Sequence, residues 1–527
     1  MENNPKNLLF KLQQKFIQGH YIEVENSLKN LIDIDANEKL LFLYAMSLLK
    51  QNNFLKAEIQ FQKLLKLNDQ NLEVYFQLGI CLRAQNKITL AIEILNKASK
   101  IQLNKVILLL LANIYRDLGR FEESLITIKN AIEIAPDFDE SYIAMANIYA
   151  DLGNYKEAKK SINNLIIQNN EKALTTYSYI LLDEGNLILA KKILNKLLEI
   201  NDQNTIANFN LAIIHLSEKN YKVGWEMYES RFDLVNYHLS KKINGYISKP
   251  RWNEKYPKKK ILVWGEQGIG DQILFSKYID VILNDFEKII LCVTEKLTPF
   301  FKEIYPQLEI KSIKEINNHL DFDYHIPMSS LGLYFQNKTL EIKPHTINES
   351  FLCNKIPKKH KKIRIGLSWF SNSGVTANKK SISLEMFEEL FNIDDIEFIN
   401  LQYTDEITSI TNLEKKVNKK IFLDHKIDCF NNIFELASLM KSCDLIITVS
   451  NSNAHIAGKL GIKTFIVLPH NSGKFWYWRT QNKNNFSDWY PSIEIFKANE
   501  NFKWDDVIQR LLKRINLIIA KQKPEKI

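Results

Sequence analysis

The stretch 261-ILVWGEQGIGDQILFSKYI-279 decides how the second half of the chain is read. Residues 261–264 form a short apolar run of the kind that makes a buried parallel strand. Gly265, Gly268 and Gly270 follow; glycines there tolerate positive φ and let backbone or ligand come close. A helix is expected to open at Asp271 and to run over 271–284. Strand, glycine turn and helix in succession begin an α/β domain, where ligands sit beyond the carboxyl ends of parallel strands. The glycine spacing is GxxGxG rather than GxGxxG, so the turn alone assigns no dinucleotide.

Downstream, strand-like runs recur at 288-KIILCV-293, 308-LEIKSI-313 and 322-FDYHI-326, with a helical stretch over 295–305. The proline–lysine segment 355-KIPKKHKKIR-364 interrupts them, and 355–362 reads as a linker. A second series starts at 363-IRIGLSW-369 and continues at 396–402, 420–424, 444–449, 463–469 and 493–496, with helices between such as 431–442. Alternation of strands with helices predicts parallel sheets covered on both faces. The blocks 261–354 and 363–527 are therefore expected to form two Rossmann-like lobes with a cleft between them.

Upstream, residues 1–232 repeat. Val24, Ala57, Ala91, Ser124, Ala158, Ala190 and Gly224 each stand five places after a turn, at spacings of 33, 34, 33, 34, 32 and 34. The copies 111-LANIYRDLGRFEESLITIKNAIEIAP-136 and 145-MANIYADLGNYKEAKKSINNLI-166 align slot by slot. A small residue in that slot lets the second helix of a pair approach the first, and stacked pairs share one continuous core. Asn113 and Asn147 occupy equivalent positions on neighbouring first helices. They are either solvated polar residues or a rung of amides for an extended peptide. The period is lost over 233–260, which closes on 257-PKKK-260 and reads as a linker.

Composition sets bounds on function. Of 527 residues, 45% are hydrophobic and 25% charged, as in water-soluble globular proteins, and the length calls for several domains. The net charge of +9 is spread without an arginine-rich tract, so nucleic acid is not expected as the main ligand. Residues 1–14 show no signal-peptide pattern. The longest apolar run, 106–112, is far short of the ~18 residues that cross a bilayer. Cys81, Cys292, Cys353, Cys429 and Cys443 form no CxxC pair, the pattern of reduced thiols in a cytoplasmic protein.

The repeat pattern resembles the tetratricopeptide repeat, with Pro136 at the usual repeat boundary. The GEQGIGD turn, the GLSW strand and 444-DLIITVSNSNAHIAGKLG-461 ahead of 463-KTFIVLP-469 resemble the heptosyltransferase-like glycosyltransferases of family nine, in the bacterial form preceded by tetratricopeptide repeats. The junction 224-GWEMYESRF-232 and the tail 489-WYPSIEIF-496 match that form as well. The architecture is also similar to that of the O-linked N-acetylglucosamine transferases. These resemblances imply an α-solenoid followed by a GT-B fold and transfer of a sugar, with inversion, from a nucleotide-diphosphate donor.

Candidate residues follow. The strand ending at Val449 runs into Ser450, Asn451, Ser452, Asn453 and Ala454 at a helix start, where free N–H groups favour an anion. Ser450 and Asn451 could equally serve as simple caps. In the resembling family this stretch holds the donor diphosphate, and Ser450-Asn451 replaces its usual Asp-Thr. His455 either meets the donor or orients the loop. Within 368-SWFSNSGVTANKKSIS-383, Asn372 and Ser373 offer neutral hydrogen bonds, and Lys379 or Lys380 offers charge for a leaving diphosphate. The resemblance points to Lys380 with Ser381, to Gln402 near the nucleotide base and to Asp428, which otherwise caps its loop. On the acceptor side the resemblance makes Asp271 the general base; the alternatives are a helix cap at Asp271 or Glu266 as the base. No Asp-x-Asp or His-x-Asp pair ends a strand, so cations and helix dipoles, not a metal, are expected to meet the leaving group, and no cofactor beyond the nucleotide-sugar co-substrate is expected.

The expected function is a cytoplasmic glycosyltransferase whose acceptor, a protein or peptide, lies on the repeat groove. The alternatives are a repeat scaffold with a catalytically inactive α/β half and a surface-polysaccharide transferase. The basic amphipathic segment 504–521 is expected to pack across the lobes, with weak contact to an acidic membrane surface as the other option.

Overall fold

The computed structural model describes residues 5–29, 31, 37–234, 243, 247–317, 319–336, 344–347, 362–371, 377–403, 406–423, 427–470, 475–478, 485–499 and 504–522. Two compact units result, Met1–Ile180 and Leu181–Ile527.

The first unit is built from paired helices. Glu38–Lys50 pairs with Phe54–Leu67, Leu72–Ala84 with Ile88–Ile101, and Lys105–Asp117 with Phe121–Ile134. Between the helices of each pair one residue takes positive φ: Asn52 (59°), Asn86 (60°) and Gly119 (73°), with Gly153 (74°) in the next repeat. Glycine and asparagine are the residues that visit this region most readily. Asparagines also open the first helices. Asn37 accepts from Leu40 N at 3.1 Å, Asn71 from Val74 N at 3.3 Å and Asn104 from Val106 N at 2.9 Å, each satisfying a donor that the helix start leaves free.

The slot five places after the turn is closed to solvent, as its small residues require: Val24, Ala57, Ala91, Ser124 and Ala158 are all 0% exposed. Ser124 substitutes for alanine because its hydroxyl donates to Ala112 O at 2.6 Å on the facing helix. Polar staples join equivalent positions of successive repeats. Arg83 donates to Asp117 and Arg116 to Asp151, partners 34 and 35 residues apart, and Asn71 reaches Glu38 across 33.

The second unit opens with the helices Leu187–Ile200, Thr205–Ser217 and Tyr221–Tyr228, which continue the periodic pattern. The compact units thus divide at 180, not at the end of the period near 232. The reason is Trp225, which is fully buried and packs edge-on against Phe275, Tyr278 and Trp476. Ala212, Leu216 and Trp225 share one apolar core with residues of both sheets that follow.

Those sheets are wholly parallel. Strands β1 (Lys260–Trp264), β2 (Lys288–Val293), β3 (Glu309–Ser312) and β4 (Tyr324–Pro327) lie in the order β3-β2-β1-β4. The larger sheet holds β5 (Ile363–Ser368), β6 (Ile396–Asn400), β7 (Ile421–Phe422), β8 (Leu445–Val449), β9 (Thr464–Leu468) and β10 (Ile493–Lys497) in the order β10-β9-β8-β5-β6-β7. Counted from its own first strand, that is the 3-2-1-4-5-6 order of doubly wound dinucleotide-binding folds, in which the ligand crevice opens where the winding reverses. In this sheet the reversal falls between β5 and β8, which pair from Ile365 with Leu445 to Ser368 with Thr448.

Two expectations are corrected. The helix expected over 271–284 is two helices, Ile269–Phe275 and Lys277–Ile282. The terminal helix Trp504–Gln522 packs within the second sheet's own layer rather than across both: Val507, Ile508, Leu511 and Ile515 join a core made of residues from 363 onward. Among the described residues no helix is long and apolar enough to cross a membrane.

Candidate functional site

At the reversal point the loops after β5 and β8 are fastened together. Asn451 caps the helix Ser452–Lys459 by accepting from Asn453 N at 3.0 Å. Its Oδ1 also accepts from Thr448 Oγ1 at 3.0 Å, and its Nδ2 donates to Ser368 Oγ at 2.8 Å and Phe370 O at 3.3 Å. A carboxylate could accept but not donate here, which accounts for asparagine at this place. Gln402 works from the other side, accepting from Trp369 N at 3.1 Å and Phe370 N at 3.0 Å and donating to Phe370 O at 3.2 Å. Ser381 accepts from Ser371 N at 3.0 Å.

These fastenings frame a cavity of about 270 Å³ whose lining includes Gly270, Asp271, Ser371, Lys380, Tyr403, Phe430, Ser450, Asn451, Ser452, His455, Phe475 and Tyr477. Asp271, Lys380 and the helix Ser452–Lys459, which carries His455, are distant in sequence and meet around this one space.

Asp271 is the third residue of the helix Ile269–Phe275, and it accepts from Gly268 N at 3.3 Å. The capping alternative is therefore met by the same side chain that faces the cavity. Burial raises its carboxyl from 3.8 to about 6, the Gly268 N–H and Lys380 lowering it and the negative charge of Glu266 adding to the rise. Lys380 is 2% exposed. Burial lowers its ammonium to about 8, with Asp271 opposing. Among the described residues it makes no hydrogen bond; its Nζ lies 4.6 Å from the centre of the Phe475 ring, which is stacked on Tyr477. Lys379, the other lysine weighed, pairs instead with Asp183 at 2.8 Å.

Ser450 accepts from Trp478 Nε1 at 3.0 Å. His455 is enclosed by Tyr477, Trp478 and Tyr490, with Nδ1 3.1 Å from the Tyr490 hydroxyl. Burial, with Lys380 in support, lowers its imidazole to about 3, so the ring is neutral. Ser452 presents the first N–H of its helix, which has no intrahelical acceptor. The site thus offers a carboxylate poised to titrate near neutrality, a buried cation, hydroxyls and a helix start.

Other expected site residues lie elsewhere. Glu266 lies outside the cavity lining: it is 4% exposed and grips the fully buried Arg231 through a 2.7 Å ion pair, with Ser329 donating to it as well. Burial raises its carboxyl while Arg231 pulls it down. Gln402, Ser381 and Ala454 stand behind the wall rather than in it, and Asn453 donates to Leu401 O at 2.8 Å. Asp428 caps its own loop, accepting from Phe430 N at 3.0 Å and Asn431 N at 2.9 Å, and Asn431 with Phe430 holds its carboxyl below the usual range. Asn372 and Ser373 lie outside the described residues. Asn113 and Asn147 sit half-buried on the first helices of their repeats. A groove of about 690 Å³ in that unit is lined by Tyr142, Met145 and Tyr149 but by neither asparagine.

Sequence reasoning missed the aromatic wall. Tyr403 and Phe430 are stacked 6.4 Å apart, and Phe475 and Tyr477 5.3 Å apart. The run 475-FWYW-478 was the available signal. Among the described residues no group of three metal-ligating side chains occurs, and Cys81, Cys292, Cys429 and Cys443 are free thiols.

Tetratricopeptide-repeat family models match residues 43–102 and residues 107–138, 139–166 and 171–204. Protein FlbA of Caulobacter vibrioides is 24% identical over an alignment of 331 residues that covers 58% of this chain and 54% of that protein. The chain thus spans little more than half the length of that curated relative. A tetratricopeptide repeat protein from Parabacteroides merdae is similar at 14% identity and a TM-score of 0.40, over 45% of this chain and 96% of that one. A second, from Thermus thermophilus, is similar at 19% identity and a TM-score of 0.31, over 34% of this chain and 100% of that one. The chain carries tetratricopeptide repeats, followed by a region of parallel sheets.

Proposed function

We propose that this chain is a glycosyltransferase that moves a sugar from a nucleotide-diphosphate donor to a protein acceptor bound by the repeats, its two parallel sheets serving as the lobes of a GT-B fold. The observation that carries this reading is the meeting of Asp271 and the buried Lys380 in one cavity at the reversal point of a doubly wound sheet. A carboxyl at about 6 is ionised at neutral pH yet basic enough to take a proton from an attacking hydroxyl. The acceptor oxygen bonds to the anomeric carbon as the bond from that carbon to the phosphate oxygen breaks. The acceptor proton passes to Asp271, and the nucleoside diphosphate leaves with its new charge beside Lys380 and the N–H of Ser452. His455, neutral, supports the wall without adding charge.

A rival reading is a repeat scaffold whose α/β half is inactive. Its support is that Ser450 stands where the resembling family carries an aspartate, with its hydroxyl taken up by Trp478 Nε1 at 3.0 Å.

The test is a panel of nucleotide sugars, read by thermal shift and by release of nucleoside diphosphate. Binding of one donor, with Asp271→Asn lowering turnover ~100-fold or more at unchanged donor affinity, is expected. Failure of every donor to bind would leave the scaffold.

A further inference from the structure

Asp271 projects from a turn that is held from outside. Gln267 has φ +63° although it is not glycine, a conformation that costs ~1–2 kcal/mol. Three contacts hold it there. Its amide Nε2 donates to the Tyr228 hydroxyl at 2.9 Å, that hydroxyl donates back to its Oε1 at 3.3 Å, and its carbonyl accepts from Gln272 Nε2 at 3.2 Å. Gln272 is itself fixed, donating to Thr294 Oγ1 at 2.6 Å and accepting from Thr294 N at 2.9 Å. On one side of Gln267, Glu266 is gripped by Arg231, whose guanidinium lies 4.8 Å over the Tyr228 ring. On the other side, Gly268 gives its N–H to the Asp271 carboxylate. Tyr228 ends the last helix of the periodic segment, and neither it nor Gln267 lines the cavity.

We propose that Tyr228 is a positioning residue: through Gln267 its hydroxyl fixes the turn that aims the Asp271 carboxylate into the cavity. Without it the positive φ of Gln267 loses a main support, the turn relaxes and the Asp271 carboxylate swings further out of its half-buried place. The end of the periodic helices thereby sets the reactivity of the base. The activity side of this inference rests on the glycosyltransferase reading; the geometric side does not.

The experiment uses the full chain and two variants, Tyr228→Phe and Gln267→Ala. Alanine keeps the steric cost of the positive φ and lacks the amide, so Gln267→Ala removes the tether alone and carries the test should Tyr228→Phe fail to fold. The pH dependence of carbodiimide modification of Asp271 is followed by peptide mass mapping. Its midpoint is expected to fall by about one pH unit toward the ordinary carboxylate value. Turnover of the donor found by the panel is expected to drop ~10-fold at unchanged donor KM. An unchanged midpoint in the folded variants overturns the proposal, whatever the turnover. A shifted midpoint in a protein that turns over no donor upholds the tether and removes the glycosyltransferase reading instead.

Discussion

Lys459 donates to Asp280 at 2.8 Å, joining the last residue of the helix that opens beside the cavity to a helix packed on the smaller sheet. Tyr305 closes the cluster, donating to Asp280 at 2.7 Å and accepting from Lys459 at 2.8 Å, while His345 stands 3.0 Å from Asp280. Burial alone would raise the Asp280 carboxyl; Lys459 and His345 outweigh it and hold it below the usual range. Lys459→Met leaves that half-buried carboxylate without its cation, and a loss of ~1–3 kcal/mol is expected. All eight tryptophans lie at 225 or beyond, so urea unfolding followed by tryptophan fluorescence reads the second unit. A midpoint equal to that of the parent chain would show the pair to be idle.

Asp271 gives a pH signature. Its folded value of about 6 lies above its ordinary 3.8, so the stability it contributes is fully present below pH ~4 and is lost as pH rises through 6. The ionised carboxylate then costs ~3 kcal/mol at neutral pH. Asp271→Asn is expected to melt higher than the parent at pH 8 by an amount that shrinks to nothing near pH 4. Parallel melting curves at both pH values would refute the assignment.

Lys380 has the opposite sign. Its ammonium is lowered to about 8 from 10.5, so its contribution is present above pH ~10.5 and lost as pH falls through 8. Lys380→Met should therefore stabilise the fold at pH 7 while weakening donor binding. It also removes the cation that lowers Asp271, so the acidic limb of the pH–turnover profile should move upward. A fixed limb would mean that the two groups do not sense each other.

Gly270 is where the two helices flanking the cavity touch. A Cβ there would lie 2.8 Å from Cδ2 of His455, a ring held by Tyr490 and its aromatic neighbours. Gly270→Ala should cost ~1–3 kcal/mol through overpacking and reduce turnover more than ~10-fold by displacing Asp271. Full turnover with a lowered melting temperature would separate packing from positioning.

The periodic half was legible because each repeat states its own rule. A small residue five places after a turn can be read without knowing what it touches, and every such residue from Val24 to Ala158 is buried. Strand positions were legible for a similar reason, since a buried parallel strand is a short apolar run. The site was only half legible. Lys380 and Asp271 meet in one cavity, whereas Glu266 stood as the alternative base because its partner, Arg231, lies 35 residues earlier. Gln402 read as a ligand contact because its backbone partners in the loop after β5 come within reach only once β5 and β6 lie side by side. Of the aromatic wall only the run 475-FWYW-478 gave a signal, since Tyr403 and Phe430 follow no local pattern. Trp225 belongs to the periodic segment by sequence and to the α/β core by packing.

The staples between repeats carry a consequence for how such an array changes its length. Arg83 meets Asp117 34 residues on, and Arg116 meets Asp151 35 residues on. Gain or loss of one whole period keeps the slots and the helix faces that carry the staples in register. Slippage by any other length sets guanidinium groups against the wrong face of the next helix and pulls a small residue out of its slot. The array is therefore edited in integers, one complete repeat at a time.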